Sequence, residues 1–429
     1  MKRRIALICA AAAVIGGCGG SPYDDGDPVR MDGEETRGRS AVITIDTLTL
    51  AQALELAQRE HPEIHAARAG TEAARGRLEQ AGLLPNPALI ARMESAPFDG
   101  RTGDEAEYVA GLSQRIPLGG DLSAERRVEE HALERSLARL ESVRGEVFRR
   151  VQSSFALALY VQQVSEVQGR ILALQESVAR TARSRVEAGE IVADEASESE
   201  LALVRGRLAS EAVASMHRQA IQDLESHLGA RWIRIESLAG DLDRTMQVPT
   251  IESLYADLSQ HPGMLAAETD VEEALAGLDL ARARRIPDLN LDVAFRRLEE
   301  SHVEAFDVGF SITLPIFDRG QGSLREARAR ISESEARLRS TRRELQRQAL
   351  AAYGRLERAL SHARVVREEI LPRREAAGAA AQARREAGEI SDAEAAGARL
   401  AHEEARIEYL SVLREVMDGW ADLSLFLQR

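Results

Sequence analysis

The chain has 429 residues, of which only 4% are aromatic and 29% are charged, a composition that favours long helices rich in Ala, Leu and Val over a thick aromatic-packed core. A net charge of −14, from 56 basic and 70 acidic residues, argues against a nucleic-acid-binding surface. Both cysteines, Cys9 and Cys18, lie at the N-terminus, which excludes a disulfide framework, a thiolate cluster and a cysteine nucleophile from the body. No run of about 18 apolar residues follows Cys18, so a helix cannot take the chain through a bilayer, and any crossing must use strands or lipid.

Lys2, Arg3 and Arg4 precede the apolar run from Ile5 to Ile15, which is too short to span a bilayer and has the form of an export signal. Ile15-Gly16-Gly17-Cys18 has the pattern of a bacterial lipobox, in which residues 1–17 are removed and Cys18 is acylated; an ordinary signal cut near Gly17 is the alternative. Residues 18–45, with Gly, Pro, Asp and Glu prominent, are expected to form a flexible tether. Gly19 occupies the position where an Asp would signal inner-membrane retention, so delivery to the outer membrane is expected, with the body extending into the periplasm.

From residue 46 the chain is written twice, as 46–247 and 248–429. His61-Pro62 returns as His261-Pro262, Pro85 as Pro287, Pro117 as Pro315, and Ala188-Gly189-Glu190-Ile191 as Ala387-Gly388-Glu389-Ile390. The order is kept and the spacing stays close to 200, so a whole unit is duplicated. Each His-Pro marks a joint before a helix, since proline is tolerated in a first turn. The first unit then predicts strands at about 86–96 and 107–116, a helix from Asp121 to Val186 and another from Asp194 to Leu228. Apolar residues such as Val147, Val151, Phe155 and Ala158 recur at helical spacing, and a helix of this length spans on the order of 100 Å. The second unit predicts strands at about 288–297 and 305–314, a helix from Gly322 to Glu386 with a kink at Pro372, and a last helix from Asp392. Each Gly-Glu-Ile falls between two helical runs and reads as a hairpin tip.

The strand segments alternate. Leu289, Leu291, Val293 and Phe295, then Phe306 and Phe310, share one face, while Asp292, Asp307, Ser311 and Thr313 fall on the other. A strand of ~10 residues at ~3.3 Å each, tilted by ~45°, covers ~23 Å, close to the apolar band of an outer-membrane barrel. Four strands cannot close, because ~8 is the smallest barrel known and an open edge in lipid leaves backbone groups unpaired. Several copies must therefore join.

Three further stretches complete the pattern: Glu369-Ile370-Leu371-Pro372-Arg373-Arg374-Glu375, the run ending in Tyr409-Leu410, and Leu314-Pro315-Ile316-Phe317-Asp318-Arg319-Gly320. Together with the second Ala-Gly-Glu-Ile, they resemble the outer-membrane efflux factor family, the TolC-like proteins, including its lipid-anchored members, over residues 46–429. The resemblance implies a mainly α fold with a small β part. Three chains would each give four strands to a twelve-stranded β-barrel, which an α-helical barrel continues through the periplasm. It implies a passive exit duct of a tripartite pump, partnered by a periplasmic adaptor, an inner-membrane transporter and outer-membrane lipid. In the family, acids six and nine positions after the second tip glycine narrow the periplasmic mouth; here those places hold Glu394 and Gly397, with Glu195 and Glu198 as the first-unit equivalents. The adaptor would meet Gly189, Glu190, Ile191, Gly388, Glu389 and Ile390.

Catalytic constellations are not evident. His61 and His65 have a metal-ligand spacing, but Leu265 stands at the second-unit place of His65, so a resident metal is not expected. Asp24 and Asp25 fall in the tether, and the Arg-rich stretch Arg337 to Arg347 reads as a solvated helix face. Neither an enzyme nor a cofactor is expected. The cargo stays open among metals, drugs and peptides. A periplasmic coiled-coil adaptor or structural lipoprotein without a barrel is the alternative reading.

Overall fold

A computed structural model describes residues 43–94, 106–230, 232–243, 248–298 and 303–427, the side chains of Ile43 and Glu195 excepted. The expected signal, Cys18 and nearly all of the tether lie outside these residues. Two compact units are distinguished: a small one whose described residues are 43–44 and 232–234, and a large one of Ile45–Arg231 with Ile235–Arg429. In chain order the elements are β1 (Ile43–Thr49), α1 (Leu50–Glu60), α2 (Pro62–Gln80), β2 (Ala88–Glu94), β3 (Glu107–Ile116), α3 (Asp121–Glu187), α4 (Ala193–Leu228) and β4 (Ile233–Ala239). There follow α5 (Ile251–Asp257), α6 (Pro262–Ala283), β5 (Leu289–Leu298), β6 (Val303–Ile312), α7 (Gln321–Val365), a π-helical turn (Val366–Ile370), α8 (Leu371–Glu386) and α9 (Asp392–Ser424). The chain is thus mainly helical with a small sheet part.

Helix α3 runs unbroken for 67 residues, about 100 Å at the usual rise, because no proline or interior cap interrupts it. It is the central post of the large unit, packing against α2, α4, α6 and α9. Its buried seam contains the residues whose spacing marks it in the sequence: Val147, Val151 and Ala158 are fully covered, and Phe155 nearly so. Each buried Val or Phe among them contributes roughly 1.5–3 kcal/mol by leaving water. The first arm of the second long hairpin buries mostly small residues. Helix α7 buries Ala349, Ala352, Leu356, Ala359 and Ala363, and Gly419 of α9 lies so near Leu356 that an added Cβ would come within 3.1 Å of the Leu356 Cα. Small residues let these helix axes approach.

The two hairpins differ at one place. Where α3 is continuous, α7 passes through the π-helical turn before Pro372, which sits in the first turn of α8. Proline has no N–H to donate, and its ring would strike the carbonyl four residues back; an extra residue in the preceding turn removes that clash. At the place where a kink was expected, the chain therefore makes a widened turn just before Pro372.

Both His-Pro joints are helix caps. His61 Nδ1 accepts the Glu63 N–H at 3.2 Å and opens α2, and His261 Nδ1 accepts the Gly263 N–H at 3.0 Å and opens α6. In the large unit, β1 and β4 pair as a two-stranded sheet fastened by Ser237, whose hydroxyl donates to the Asp46 carbonyl at 2.6 Å.

Candidate functional site

The other sheet is antiparallel in the order β2-β3-β5-β6, so the strands of the two repeats join through β3 and β5. The register sets Leu112 opposite Val293, Ala110 opposite Phe295, Leu291 opposite Phe310 and Phe295 opposite Phe306. Opposed residues share a face, so the apolar residues form one surface across four strands. On that surface Phe306, Val308 and Phe310 are 71–79% exposed, far too greasy to be left in water as a group. The reverse surface carries Asp292, Asp307, Ser113 and Ser311 among small residues such as Gly111 and Ala294, and here Val109 and Ala294 are buried.

Strands β2 and β6 depart from the sequence expectation by two residues, and β5 by one. Strand β6 spans Val303–Ile312 rather than 305–314, because its end is set by pairing of Ile312 with Leu289 at the start of β5. Thr313 therefore follows the strand instead of facing the polar side from within it. Strand β2 begins at Ala88, after Pro85 and Pro87, rather than at 86, since proline cannot donate to the ladder.

One cluster on the polar face has no counterpart in the sequence reading. The Arg296 guanidinium donates to Glu107 at 2.5 Å and to Asp307 at 2.7 Å, and lies 3.6 Å from Glu94. One cation thus ties β5 to β3, β6 and β2, with three carboxylates around it. Only the strand register brings these residues together, and the sequence carried no local signal for it. At the other end of the sheet Arg115 donates to Asp288 at 2.6 Å and reaches Asp121 at the start of α3, fixing the sheet to the helices.

The two tips are built alike. Gly189 and Gly388 take φ of +75° and +76°, and the following Glu190 and Glu389 N–H groups donate to Arg185 and Arg384 carbonyls at 2.8 and 2.9 Å. This is the Schellman closure, which only glycine enters without strain. The side chains repeat the pairing, Arg185 with Glu190 and Arg384 with Glu389, each at 3.2 Å. Gly189, Glu190, Gly388 and Glu389 are exposed, while Ile191 and Ile390 are half-buried.

Glu394 closes a capping box at the start of α9. Its carboxylate accepts from the Ser391 N–H and hydroxyl, both at 2.9 Å, and its own N–H donates to the Ser391 hydroxyl at 3.2 Å. These bonds, the backbone one foremost, hold its carboxyl below the usual range. Glu198 is strongly exposed and 3.9 Å from Arg205; Glu195 lies in the first turns of α4.

His61 Nδ1 is engaged in the cap of α2, and a different set of candidate metal ligands comes together elsewhere. Among the described residues, His131, Glu134 and Glu272 bring one ligand atom each within 4.8 Å of one another.

Comparison with known proteins places this architecture. A family model described as outer membrane efflux protein matches residues 53–230 and 254–427. The chain is similar to the cobalt-zinc-cadmium resistance protein CzcC of Cupriavidus metallidurans, 30% identical over 387 residues and covering 89% of this chain and 90% of that protein. It is also similar to the nickel and cobalt resistance protein CnrC of the same organism, 25% identical and covering 69% of each chain. Among solved structures, the open state of the Neisseria gonorrhoeae MtrE outer membrane channel superposes with a TM-score of 0.71 at 19% identity, covering 88% of each chain.

Proposed function

Because the chain belongs to the outer membrane efflux protein family, we propose that it is the exit duct of a tripartite efflux pump, and that its cargo is divalent transition-metal cations. Three copies would close a twelve-stranded barrel in the outer membrane, continued by their helical hairpins through the periplasm to an adaptor and an inner-membrane transporter. The observation that carries this reading is the four-stranded sheet. It is greasy on one face and polar on the other, and β2 and β6 each have only one neighbour in it. A sheet of this kind has a place in lipid only if the edges of several copies pair. In the closed ring, Phe306, Phe310, Leu289 and Phe295 face lipid, while Asp292, Asp307, Ser311 and the Arg296 cluster face a water-filled bore.

The remaining parts of the proposal follow the repeats. Residues 1–17 are the export signal, Cys18 carries the acyl anchor, 18–45 is the tether, and 46–247 and 248–429 are the two units. Gly189, Glu190, Ile191, Gly388, Glu389 and Ile390 meet the adaptor, and Glu394, Glu195 and Glu198 line the mouth. The choice of cargo is supported by the relatives named for resistance to cobalt, zinc, cadmium and nickel.

Deletion of the gene tests both levels. The expected result is sensitivity to zinc, cobalt, cadmium or nickel salts, restored by the wild-type chain. Sensitivity to organic toxicants with unchanged metal tolerance would overturn the cargo and keep the duct; unchanged tolerance to both would overturn the duct.

A further inference from the structure

Helices α3 and α6 lie side by side, and their facing surfaces carry an unusual meeting of charges. His131 Nδ1 lies 3.1 Å from Glu134 Oε2, one turn along α3, and 3.5 Å from Glu272 Oε2 on α6. Two carboxylates thus converge on one imidazole nitrogen. The acids next to them are already matched: Asp270 and Glu273 share the Arg135 guanidinium at 3.0 and 2.8 Å, and Glu129 pairs with Arg77 at 3.2 Å. Among the described ion pairs, Glu134 and Glu272 have no cationic partner other than His131. With the imidazole neutral and its proton on Nε2, two carboxylates converge on the Nδ1 lone pair.

From this geometry we infer that His131, Glu134 and Glu272 form an open site for a divalent transition-metal cation. Tetrahedral zinc, with ligands at ~2.0–2.1 Å, sets neighbouring donor atoms ~3.4 Å apart. The two His131–carboxylate separations, 3.1 and 3.5 Å, lie on either side of that value. A donor set of one imidazole and two carboxylates selects zinc, cobalt or nickel over magnesium and calcium, which prefer oxygen alone. Three protein ligands leave at least one position to water, the arrangement of a site that exchanges its cation rather than one that locks the fold. The half-exposed glutamates, with 59% and 57% of their side chains accessible, allow that exchange. The site bridges two helices from different repeats, so bound cation would also fasten α3 to α6. The inference rests on the proposed cargo only in the choice of probe.

The same contacts would arise if a protonated His131 merely bridged two acids, and the experiment separates the two. Full-length protein purified in detergent is titrated with Co²⁺, whose visible d–d absorption reports nitrogen and oxygen ligation. The expected result is a saturable band at one Co²⁺ per chain, abolished by Zn²⁺ and unaffected by equal Mg²⁺. His131→Lys keeps a cation between the two glutamates but cannot supply the imidazole, and Glu272→Gln removes one anionic ligand. Both are expected to weaken Co²⁺ binding by on the order of tenfold or more, with His131→Lys keeping the melting temperature of the metal-free protein. Absence of a saturable band in the wild type, or equal affinity in wild type and His131→Lys, would overturn the site. Binding of this kind in a protein whose deletion leaves metal tolerance intact would overturn the cargo and not the site.

Discussion

At the scale of single residues, the paired histidines show how a small sequence mark becomes a physical device. The His-Pro dipeptides are legible as joints because proline is favoured in a first helical turn and cannot continue a helix behind it. That the imidazole itself is the cap was not legible, since Ser, Thr, Asn and Asp are the usual residues there. Nδ1 can accept an N–H only while it is unprotonated. His61 is held below its ordinary value of 6.5 chiefly by burial, aided by Arg150 and His227 against the opposing pull of Glu63, and burial also lowers His261. The unfolded chain therefore takes up these protons first. The stability from both caps is full above about pH 6.5 and is lost as pH falls through the lower, folded-state values. Asn accepts the same N–H without titrating, so the double variant His61→Asn, His261→Asn should lose less melting temperature between pH 7 and pH 5 than the wild type. Identical pH profiles from thermal unfolding would refute the role of the caps. Glu394 shows the same layering from the other side: the acid expected at the mouth is also the N3 partner of Ser391, so its carboxylate has a structural task whatever else it faces.

At the scale of elements, the long helices and the tips were legible because two independent marks agreed, helical spacing of apolar residues and the placement of proline and glycine. The strands were legible from their alternation, but their ends were not, because the end of a strand depends on its partner: β6 stops where β5 begins. The Arg296 cluster was beyond reach for the same reason, since it needs the register of β3 against β5 across nearly 190 intervening residues. The π-helical turn marks a further gap, because Pro372 announced a disturbance without saying that a widened turn would absorb it. The facing of β6 gives a direct test. Phe310 is 78% exposed on the apolar surface, and a charge near the lipid midplane costs ~2–4 kcal/mol. Phe310→Arg should lower the yield of assembled oligomer in outer-membrane fractions, while Ser311→Arg, one residue on and on the polar face of the sheet, should be tolerated. Equal yields from the two variants would show the facing to be wrong.

At the scale of the molecule, the proposed acyl anchor and the proposed barrel make separable predictions. An acyl chain by itself gives only marginal, reversible attachment, whereas a closed barrel cannot leave lipid without exposing its greasy face. Cys18→Ser should therefore abolish labelling by a radioactive fatty acid and still leave the protein in the membrane pellet after an alkaline wash. Release into the supernatant would favour a tethered periplasmic coiled coil over a barrel. Continued labelling would refute acylation at Cys18.

The pairing of β3 with β5 means that the border between the two copies of the unit runs down the middle of the sheet, with ten residue pairs across it. Neither half of the chain owns a complete set of strands, and in the proposed trimer a half-length chain would need six subunits to make the ring that three full chains would make. Fusing the halves fixes which neighbour each hairpin meets. In that proposed ring the hairpin with the unbroken α3 and the hairpin with the π-helical turn before Pro372 would alternate around the tube.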